Sequence, residues 1–239
     1  MTLTWAYGVT TVPERIDSTL PLTLRSLAAA GFDEPRLFVD GERLAIRYED
    51  MFGLPVSTRW PRIRTHGNWL LSIVELVSRN PNADRYAIFQ DDLLTCKNLR
   101  GYLDQCKYPR DGYLNLYTFP ENEAIVPPDP TGKRSKATGW FRSNQRGKGA
   151  LGLVFGNAVV YKLLSSLHIW DRQRDPNRGW QSTDGGVVTA LSFQEVSEYI
   201  HSPSLVQHIG HVSTMGHGKY PEALSFRGEN FNALDLLTP

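Results

Sequence analysis

The sequence predicts an α/β protein, built as a single domain on a Rossmann-type mixed sheet with helices on its faces. Short apolar runs rich in β-branched and aromatic residues alternate with segments in which leucines recur at helical spacing, as strand–helix–strand units require. Several of these runs end abruptly in polar residues, and ligands of open α/β sheets bind beyond the carboxyl ends of the strands. At 239 residues the chain can bury a substantial core as one large domain or two small ones, and we expect the former.

The first strand–helix–strand unit fills the N-terminal part of the chain. Its predicted elements are, in order, a strand over residues 3–11, a helix over residues 20–30 and a strand over residues 36–41. In such a unit the two strands are parallel, so their carboxyl ends meet at one edge of the sheet. We therefore expect the hydroxyls of Thr10 and Thr11 and the carboxylate of Asp40 to lie near one another.

The next elements lead into a strand that ends in two adjacent carboxylates. They are predicted as a short strand over residues 62–65, a helix over residues 69–79 and a buried strand over residues 86–89. Asp91 and Asp92 follow, and an unpaired carboxylate is very costly to bury inside a sheet. We expect the pair at the same ligand-binding edge, where it suits a cation. A helix N-cap is the alternative for the dipeptide alone.

The C-terminal part of the chain is less regular. Its predicted elements are a helix over residues 99–106, strands over residues 112–117 and 149–156, a helix over residues 158–167 and an apolar run over residues 187–191. Every charge in residues 131–149 is positive, and Trp140 and Phe141 lie among them. A loop of this length in a compact domain is usually functional or disordered. We expect a mobile basic loop that either closes over an anionic ligand or stays solvated.

Two further segments carry candidate functional residues. Asp184 precedes two glycines and an apolar run, which places it at the start of a helix as a reactive carboxylate or as an N-cap. Four of the six histidines lie within residues 201–217, a stretch rich in glycine and serine. We expect one of these histidines to contact a metal or a phosphate, since neutral imidazole is a common metal ligand.

Composition limits the classes of function. The formal net charge of +1 gives the chain no general drive toward nucleic acid or anionic membranes, which only a local patch could supply. The two cysteines, Cys96 and Cys106, make neither a disulfide framework nor a zinc site, which favours reduced thiols. The sequence has no run of about eighteen apolar residues and no signal-peptide pattern at its N-terminus. A cytoplasmic protein without a membrane span is therefore expected.

Three short motifs, taken in order, resemble the GT-A fold of nucleotide-sugar-dependent glycosyltransferases. Residues 10–15, TTVPER, resemble the loop after the first strand that holds the donor's base, and residues 90–92, QDD, resemble the metal-binding DxD or EDD motif. Residues 202–210, SPSLVQHIG, resemble the C-terminal segment of the N-acetylglucosaminyltransferase IV group and of some bacterial and phage glycan glycosyltransferases. The resemblance covers about residues 7–213. Gln90 departs from it, because an acid is frequent at that position.

The resemblance implies a GT-A-like domain in two halves. Residues 1–94 would bind the nucleotide sugar, and residues 95–239, with the basic loop, would bind the acceptor. The donor is implied to be a UDP-sugar, and the cofactor Mn²⁺ or Mg²⁺, held by Asp92 with His208. The remaining donor-binding residues are implied to be Thr10, Thr11, Pro13, Arg15, Asp40, Asn68, Gln90, Asp91 and Ser213. Among them, Asp40 and Arg15 would meet the base, and Asp91 the ribose or a coordinated water.

Sugar transfer requires two functions of such a site. The charge of the leaving diphosphate must be neutralised, which a divalent cation does, and the acceptor hydroxyl of a glycan or another molecule must lose its proton to a base. Asp184 is the candidate general base. Direct displacement by the activated hydroxyl would make the enzyme inverting.

Three alternatives stay open. A nucleotidyltransferase also holds a metal with acids, although residues 10–15 lack the glycine-rich phosphate loop usual in that class. The acceptor of a glycosyltransferase could instead be DNA carrying a hydroxylated base, with the basic loop following the phosphates. The third alternative is a binding protein that keeps the fold without activity, which the intact acids Asp91, Asp92 and Asp184 disfavour.

Overall fold

A mixed sheet forms the centre of the computed structural model, which describes residues 3–109, 111–130, 136–171, 183–210 and 221–237. The strands are β1 (Trp5–Thr11), β2 (Arg36–Asp40), β3 (Val56–Arg59), β4 (Arg85–Gln90), β5 (Leu93–Thr95), β6 (Gly112–Asn115), β7 (Gly139–Arg142), β8 (Gly152–Gly156), β9 (Ser197–Ser202) and β10 (Val206–His208). Eight of them form one sheet in the order β3-β2-β1-β4-β8-β6-β9-β7, and β5 and β10 form a separate two-stranded ribbon. Strands β1 to β4 are parallel, whereas β8 runs antiparallel to β4 and β6, so the predicted mixed sheet is confirmed.

Helices cover both faces of this sheet. They are α1 (Thr19–Ala29), α2 (Ile46–Phe52), α3 (Arg64–Arg79), α4 (Leu99–Gln105), α5 (Pro120–Ile125), α6 (Asn157–Ser165), α7 (Leu167–Asp171) and α8 (Thr183–Ser192), with 3-10 helices at Pro13–Arg15 and Ala233–Leu237. Alternate β4 side chains enter opposite cores: Phe89 packs with leucines of α1 and α4, and Ile88 with side chains of α3, α6 and α8. One sheet thus separates two cores in a single α/β domain, as predicted. None of the helices in the described ranges is long and apolar enough to cross a bilayer.

Strands β1, β2 and β4 lie side by side, as the strand–helix–strand pattern predicts. Gly8 of β1 pairs with Arg36 of β2 on one side and with Ile88 of β4 on the other. A Cβ atom at Gly8 would lie 2.4 Å from the ring of Phe38, so glycine is needed for the β2 aromatic to pack against β1. The carboxyl ends of the three strands consequently meet at one edge of the sheet.

The third strand lies earlier in the chain than predicted. The prediction of a strand over residues 62–65 is wrong, because β3 ends at Arg59 and α3 begins at Arg64. Asp40 explains the early start of the helix: its carboxylate accepts hydrogen bonds from the N–H groups of Ile63 at 2.8 Å and Arg64 at 2.7 Å. These N–H groups lie at the start of the helix, where backbone donors have no acceptors within the helix. The carboxylate of Asp40 supplies the acceptors and so stabilises a helix that starts earlier than predicted.

Strand β7 lies within the segment that the sequence predicts to be a loop. Trp140 of β7 pairs antiparallel with His201 of β9, so the expectation of an irregular loop is wrong for residues 139–142. Residues 131–135 lie outside the described part of the chain. The pairing of an edge strand depends on its neighbour more than on its own apolar pattern, which explains why composition alone misidentifies it.

Candidate active site

A buried polar cluster lies at the edge of the sheet where β1, β2 and β4 end. Asp91 and Asp92 directly follow β4 and are 5% and 4% exposed. The hydroxyl of Thr11, the last residue of β1, donates a hydrogen bond to Asp91 Oδ2 at 2.6 Å. The structure therefore brings together the polar ends of neighbouring strands that the sequence indicates, with the acid pair at their centre.

Arg15 forms an ion pair with both carboxylates. It ends the 3-10 helix that follows β1, and its Nη1 atom lies 2.8 Å from Asp91 Oδ1. The same nitrogen donates a hydrogen bond to Asp92 Oδ2. One guanidinium thus offsets part of the charge of two adjacent buried acids, which a low-dielectric environment would otherwise strongly disfavour. The resemblance implies a nucleobase contact for Arg15, whereas in the structure its guanidinium is engaged by the acids.

The β5–β10 ribbon brings His208 to the acid pair from a distant part of the sequence. His208 pairs with Leu93 in the ribbon, and its Nε2 atom lies 3.2 Å from Asp92 Oδ2. The N–H of Ile209 donates to the backbone carbonyl of Asp92 at 2.9 Å. A Cβ atom at Gly210 would lie 2.7 Å from Asp92 Oδ2, so glycine is what allows the segment to pass this close.

The two acids of the pair have different electrostatic surroundings. Burial raises the pKa of Asp91 to about 7, with a contribution from the charge of Asp92 and against the opposing charge of Arg15. Burial also acts to raise the pKa of Asp92, but the hydrogen bond from His208 and the charge of Arg15 outweigh it and lower that pKa. Asp92 is therefore the acid that the site keeps ionised most firmly.

The residues around Asp92 have donors suited to a divalent cation. Its Oδ1 atom is buried without a hydrogen-bond partner among the described residues, and its Oδ2 atom lies beside the imidazole of His208. Carboxylate oxygen with imidazole nitrogen suits Mn²⁺, and Mg²⁺ is bound mainly through oxygen. The described ranges contain no group of three or more His, Cys, Asp or Glu side chains arranged around a metal position. A cation here would need further ligands, such as substrate phosphates.

Other predicted donor-binding residues are tied into the fold. Asp40 is 2% exposed and caps α3, and Asn68, also 2% exposed, donates from its side-chain amide to a backbone carbonyl of β2 at 2.9 Å. Ser213 lies outside the described residues. The half-buried predicted residues at this edge are Thr10, Pro13 and Gln90. The polar strand ends thus divide into a group around the acid pair and a group that supports the sheet and α3.

Asp184 lies in the first turn of α8 and is 5% exposed. Its Oδ2 atom accepts a hydrogen bond from the N–H of Gly149, and its Oδ1 atom accepts one from Gly185 at 3.0 Å. Two residues after Gly149, the carbonyl of Leu151 accepts a hydrogen bond from the N–H of Gln90 at 2.8 Å. Asp184 is therefore connected by a short stretch of backbone to the end of β4, while its carboxylate also holds that backbone in place.

A buried glutamate that the sequence pattern does not single out fixes the same stretch. Glu198 of β9 is 1% exposed, and it accepts hydrogen bonds from the hydroxyl of Ser143 at 2.6 Å and the amide of Asn115 at 3.1 Å. Burial raises the pKa of Glu198, with these hydrogen bonds acting against it. Asn115 also donates to the carbonyl of Lys148 at 3.1 Å. The only sequence signal is an acid within an apolar run, which becomes informative once β9 is recognised.

Four cations of the predicted basic loop lie in the described part of the chain. Lys136 donates from Nζ to a backbone carbonyl at 2.8 Å, and Lys148 Nζ lies 5.4 Å from the centre of the Phe119 ring. Arg142 and Arg146 are exposed. Half of these cations are thus engaged by the protein itself, which leaves a smaller basic surface for a nucleic acid than the sequence suggests.

Comparison with solved structures identifies similar folds. The crystal structure of GalNAc-T7 with UDP, GalNAc and Mn²⁺ matches with a TM-score of 0.60 at 13% identity, over 87% of this chain and 44% of that one. A mannose-1-phosphate geranyltransferase from Thermus thermophilus matches with a TM-score of 0.45 at 14% identity, over 82% of this chain and 73% of that one. The glycosyltransferase GlyE of Streptococcus pneumoniae TIGR4 matches with a TM-score of 0.44 at 11% identity, over 83% and 45%. No family model and no curated protein sequence matches the chain.

The match to GalNAc-T7 extends over most of this chain but less than half of that protein. At 13% identity such a similarity shows the fold and not the reaction. It agrees with the mixed eight-stranded sheet and the helices that flank it. The chain therefore has the GT-A-like fold of nucleotide-sugar glycosyltransferases, as its sequence motifs indicate.

Proposed function

We propose that this protein is a metal-dependent glycosyltransferase that moves a sugar from a UDP-sugar to an acceptor hydroxyl. The observation that carries the proposal is the buried contact of Asp92 with His208 at the carboxyl ends of parallel strands, beside a carboxylate oxygen without a partner among the described residues. Ligands of open α/β sheets bind at this edge, and the similar GalNAc-T7 structure contains UDP and Mn²⁺. Residues 1–94 would supply most of the donor site and residues 95–239 the acceptor site.

Donor binding in this proposal depends on the cluster around the acid pair. Asp92 and His208 would hold Mn²⁺ or Mg²⁺, and the bound cation would neutralise the leaving diphosphate. Asp91, oriented by the hydroxyl of Thr11, would bind the ribose or a coordinated water. Thr10, Pro13 and Gln90 would line the donor, and the proposed contact of Ser213 falls outside the described residues. We assign Asp40 and Asn68 to support of the sheet edge, because both are buried and hydrogen-bonded to backbone.

On the acceptor side, Asp184 would accept the proton of the attacking hydroxyl. A carboxylate has lone pairs beyond the two that accept from Gly149 and Gly185, so a third hydrogen bond is chemically possible. A base placed there would support direct displacement with inversion at the anomeric carbon. The configuration of the product, read by nuclear magnetic resonance, tests inversion directly, and a retained configuration would exclude this role for Asp184.

The proposed function is tested by UDP binding with and without metal. We expect isothermal titration calorimetry to show UDP binding that requires Mn²⁺ in the wild-type protein. Asp92→Asn should weaken that binding by at least about 100-fold while the protein stays folded, because it removes the ionised ligand and keeps its shape. Asp17→Asn, at an exposed acid that pairs with Arg47, serves as the matched control and should bind normally.

Equal UDP affinity in wild type and Asp92→Asn, with and without Mn²⁺, would exclude the proposed metal site. The sugar is identified by screening UDP-sugars for metal-dependent hydrolysis in the absence of an acceptor. A protein that hydrolyses none of them and binds no UDP would overturn the proposed function as a whole.

A further inference from the structure

Arg15 is the counter-ion of the buried acid pair. Its Nη1 atom is 2.8 Å from Asp91 Oδ1 and also bonds to Asp92 Oδ2, so a single nitrogen bridges carboxylates of adjacent residues. The three side chains are 13%, 7% and 6% exposed, so water screens this contact weakly. Two buried carboxylates need a counter-ion close by, because leaving such charges unpaired is strongly unfavourable.

Asp92 has a carboxylate oxygen that the guanidinium does not contact. Asp92 Oδ1 is buried and has no hydrogen-bond partner among the described residues. His208 Nε2 lies 3.2 Å from Oδ2, the same oxygen that accepts from Arg15. A divalent cation could be ligated by both a carboxylate oxygen and the imidazole nitrogen, whereas the guanidinium donates hydrogen bonds to the two carboxylates. Arg15 and a divalent cation would therefore compete for the carboxylate of Asp92.

We propose that Arg15 is an exchangeable counter-ion of the acid pair. In the free protein its guanidinium neutralises Asp91 and Asp92. When a divalent cation and a nucleoside diphosphate bind, the cation displaces the guanidinium from Asp92, and the guanidinium moves to the diphosphate, whose oxygens it can bind as a fork. The inference rests on the proposed function and assigns Arg15 to the diphosphate instead of the base. It makes metal and nucleotide binding mutually dependent, because the metal alone displaces Arg15 without giving it a new partner.

The exchange is tested first by Mn²⁺ binding without nucleotide, followed by electron paramagnetic resonance. Arg15→Gln removes the competing charge, so we expect this variant to bind Mn²⁺ at least about tenfold more tightly than wild type and Mn²⁺-supported UDP at least about tenfold more weakly. Arg62→Gln is the matched control, because Arg62 is a cation of the same sheet edge that pairs with Glu14 at 2.8 Å. It should change neither affinity by more than about twofold.

Equal gains in Mn²⁺ affinity in Arg15→Gln and Arg62→Gln would reduce the effect to general electrostatics and overturn the exchange. An Arg15→Gln variant that is folded and binds Mn²⁺ no better than wild type would overturn it as well. So would an unchanged affinity for Mn²⁺-supported UDP, because the guanidinium would then have no contact with the diphosphate.

A second experiment uses the wild-type protein and does not depend on the folding of a variant. Phenylglyoxal modification of Arg15, read by peptide mass spectrometry, should be slow in the free protein, faster at saturating Mn²⁺ and slow again when UDP is added. Modification that stays unchanged while Mn²⁺ and UDP demonstrably bind would overturn the exchange alone. A protein that binds neither would overturn the proposed function and the exchange with it.

Discussion

Asp184 accepts hydrogen bonds from the backbone and is also the candidate general base. Its two oxygens accept hydrogen bonds from N–H groups of Gly149 and Gly185, so a neutral amide at this position would turn its NH₂ group toward one of these donors. Leaving a buried backbone donor without an acceptor costs about 1–3 kcal/mol of the free energy of unfolding. Substitution here therefore changes stability as well as any chemistry.

We predict that Asp184→Asn lowers turnover by about 10²–10⁴-fold, the usual contribution of a general base, while Mn²⁺-supported UDP binding persists. The measurement is turnover per folded molecule, with the folded fraction taken from calorimetric unfolding of the same sample. If turnover per folded molecule stays near the wild-type value and only stability falls, Asp184 holds the backbone and the base lies elsewhere.

At the scale of elements, the β5–β10 ribbon determines the geometry of the acid pair. Gly210 follows the ribbon, and a Cβ atom there would lie 2.7 Å from Asp92 Oδ2 and 2.9 Å from the ring of His208. Both neighbours are side-chain ends that can shift. An added methyl group would therefore push the two proposed metal ligands apart more than it would disturb the sheet.

We predict that Gly210→Ala weakens Mn²⁺-supported UDP binding by about tenfold, with little loss of stability in the metal-free protein. Calorimetry of UDP binding and thermal unfolding without metal measure the two effects. Gly101→Ala in α4 is the matched control, because its new methyl group would meet only Leu234 at an ordinary contact distance of 3.4 Å. Normal UDP binding by Gly210→Ala would show that the ribbon does not set the ligand geometry.

The segment that ends the predicted basic loop is held by several elements at once. The N–H of Ser143 donates to the carbonyl of Glu198 at 3.0 Å, and the N–H of Gly149 donates to Asp184. Whether any part of residues 131–149 closes over a ligand stays a prediction from composition. The contacts of residues 143–149 favour a fixed segment instead.

We predict that amide hydrogens of Ser143 and Gly149 exchange slowly in the free protein and that UDP with Mn²⁺ leaves their rates unchanged. Hydrogen exchange followed by mass spectrometry measures this. Glu198→Gln should accelerate exchange across residues 143–149, because an amide cannot accept the hydrogen bonds of both Ser143 and Asn115 with the strength of a carboxylate. Fast exchange in the free protein that slows on donor binding would instead support a lid.

At the scale of the whole molecule, burial of one histidine links stability to pH. His201 is fully buried, and its ring nitrogens contact the carbonyl of Pro203 at 2.6 Å and the hydroxyl of Tyr102 at 2.7 Å. Burial lowers the pKa of His201 from 6.5 to about 4. Between pH 6.5 and about 4 the His201 side chain is therefore protonated in the unfolded chain and neutral in the folded chain.

We predict that His201 makes the free energy of unfolding fall as pH drops from about 6.5 to about 4, by about 3 kcal/mol in total, and contributes no further change below that range. Urea unfolding at a series of pH values measures the slope. His201→Gln should flatten this slope whatever its effect on stability at neutral pH. An equal slope in wild type and His201→Gln would contradict the prediction.

The sequence predicts the parallel centre of the molecule because local signals suffice there. Apolar runs, leucine spacing and polar strand ends place Thr11, Asp91 and Asp92 at one edge without knowledge of distant contacts. The motif resemblance also indicates His208, although the ribbon that positions it is not evident from three-residue strands. The arrangement of the remaining elements depends on pairing between residues that are far apart in the chain.

The contacts that the sequence does not predict join residues far apart in the chain. Arg15 meets Asp91 across 76 positions, and its charge alone does not identify its partner. The cap that Asp40 gives to α3 moves the helix start and displaces the predicted third strand. Glu198 becomes interpretable only when β9 is paired with β6 and β7. In each case a tertiary contact overrides a weak local preference.

The ribbon between β5 and β10 also sets an order of events during biosynthesis. A ribosome releases the chain from its N-terminus, so Arg15, Asp91 and Asp92 emerge well before His208. In that interval the imidazole that would complete a cation site has not been made. On the proposed function, Asp92 cannot share a cation with His208 until that segment has been synthesised. The proposed cation site would be complete only after the C-terminal segment has closed the ribbon.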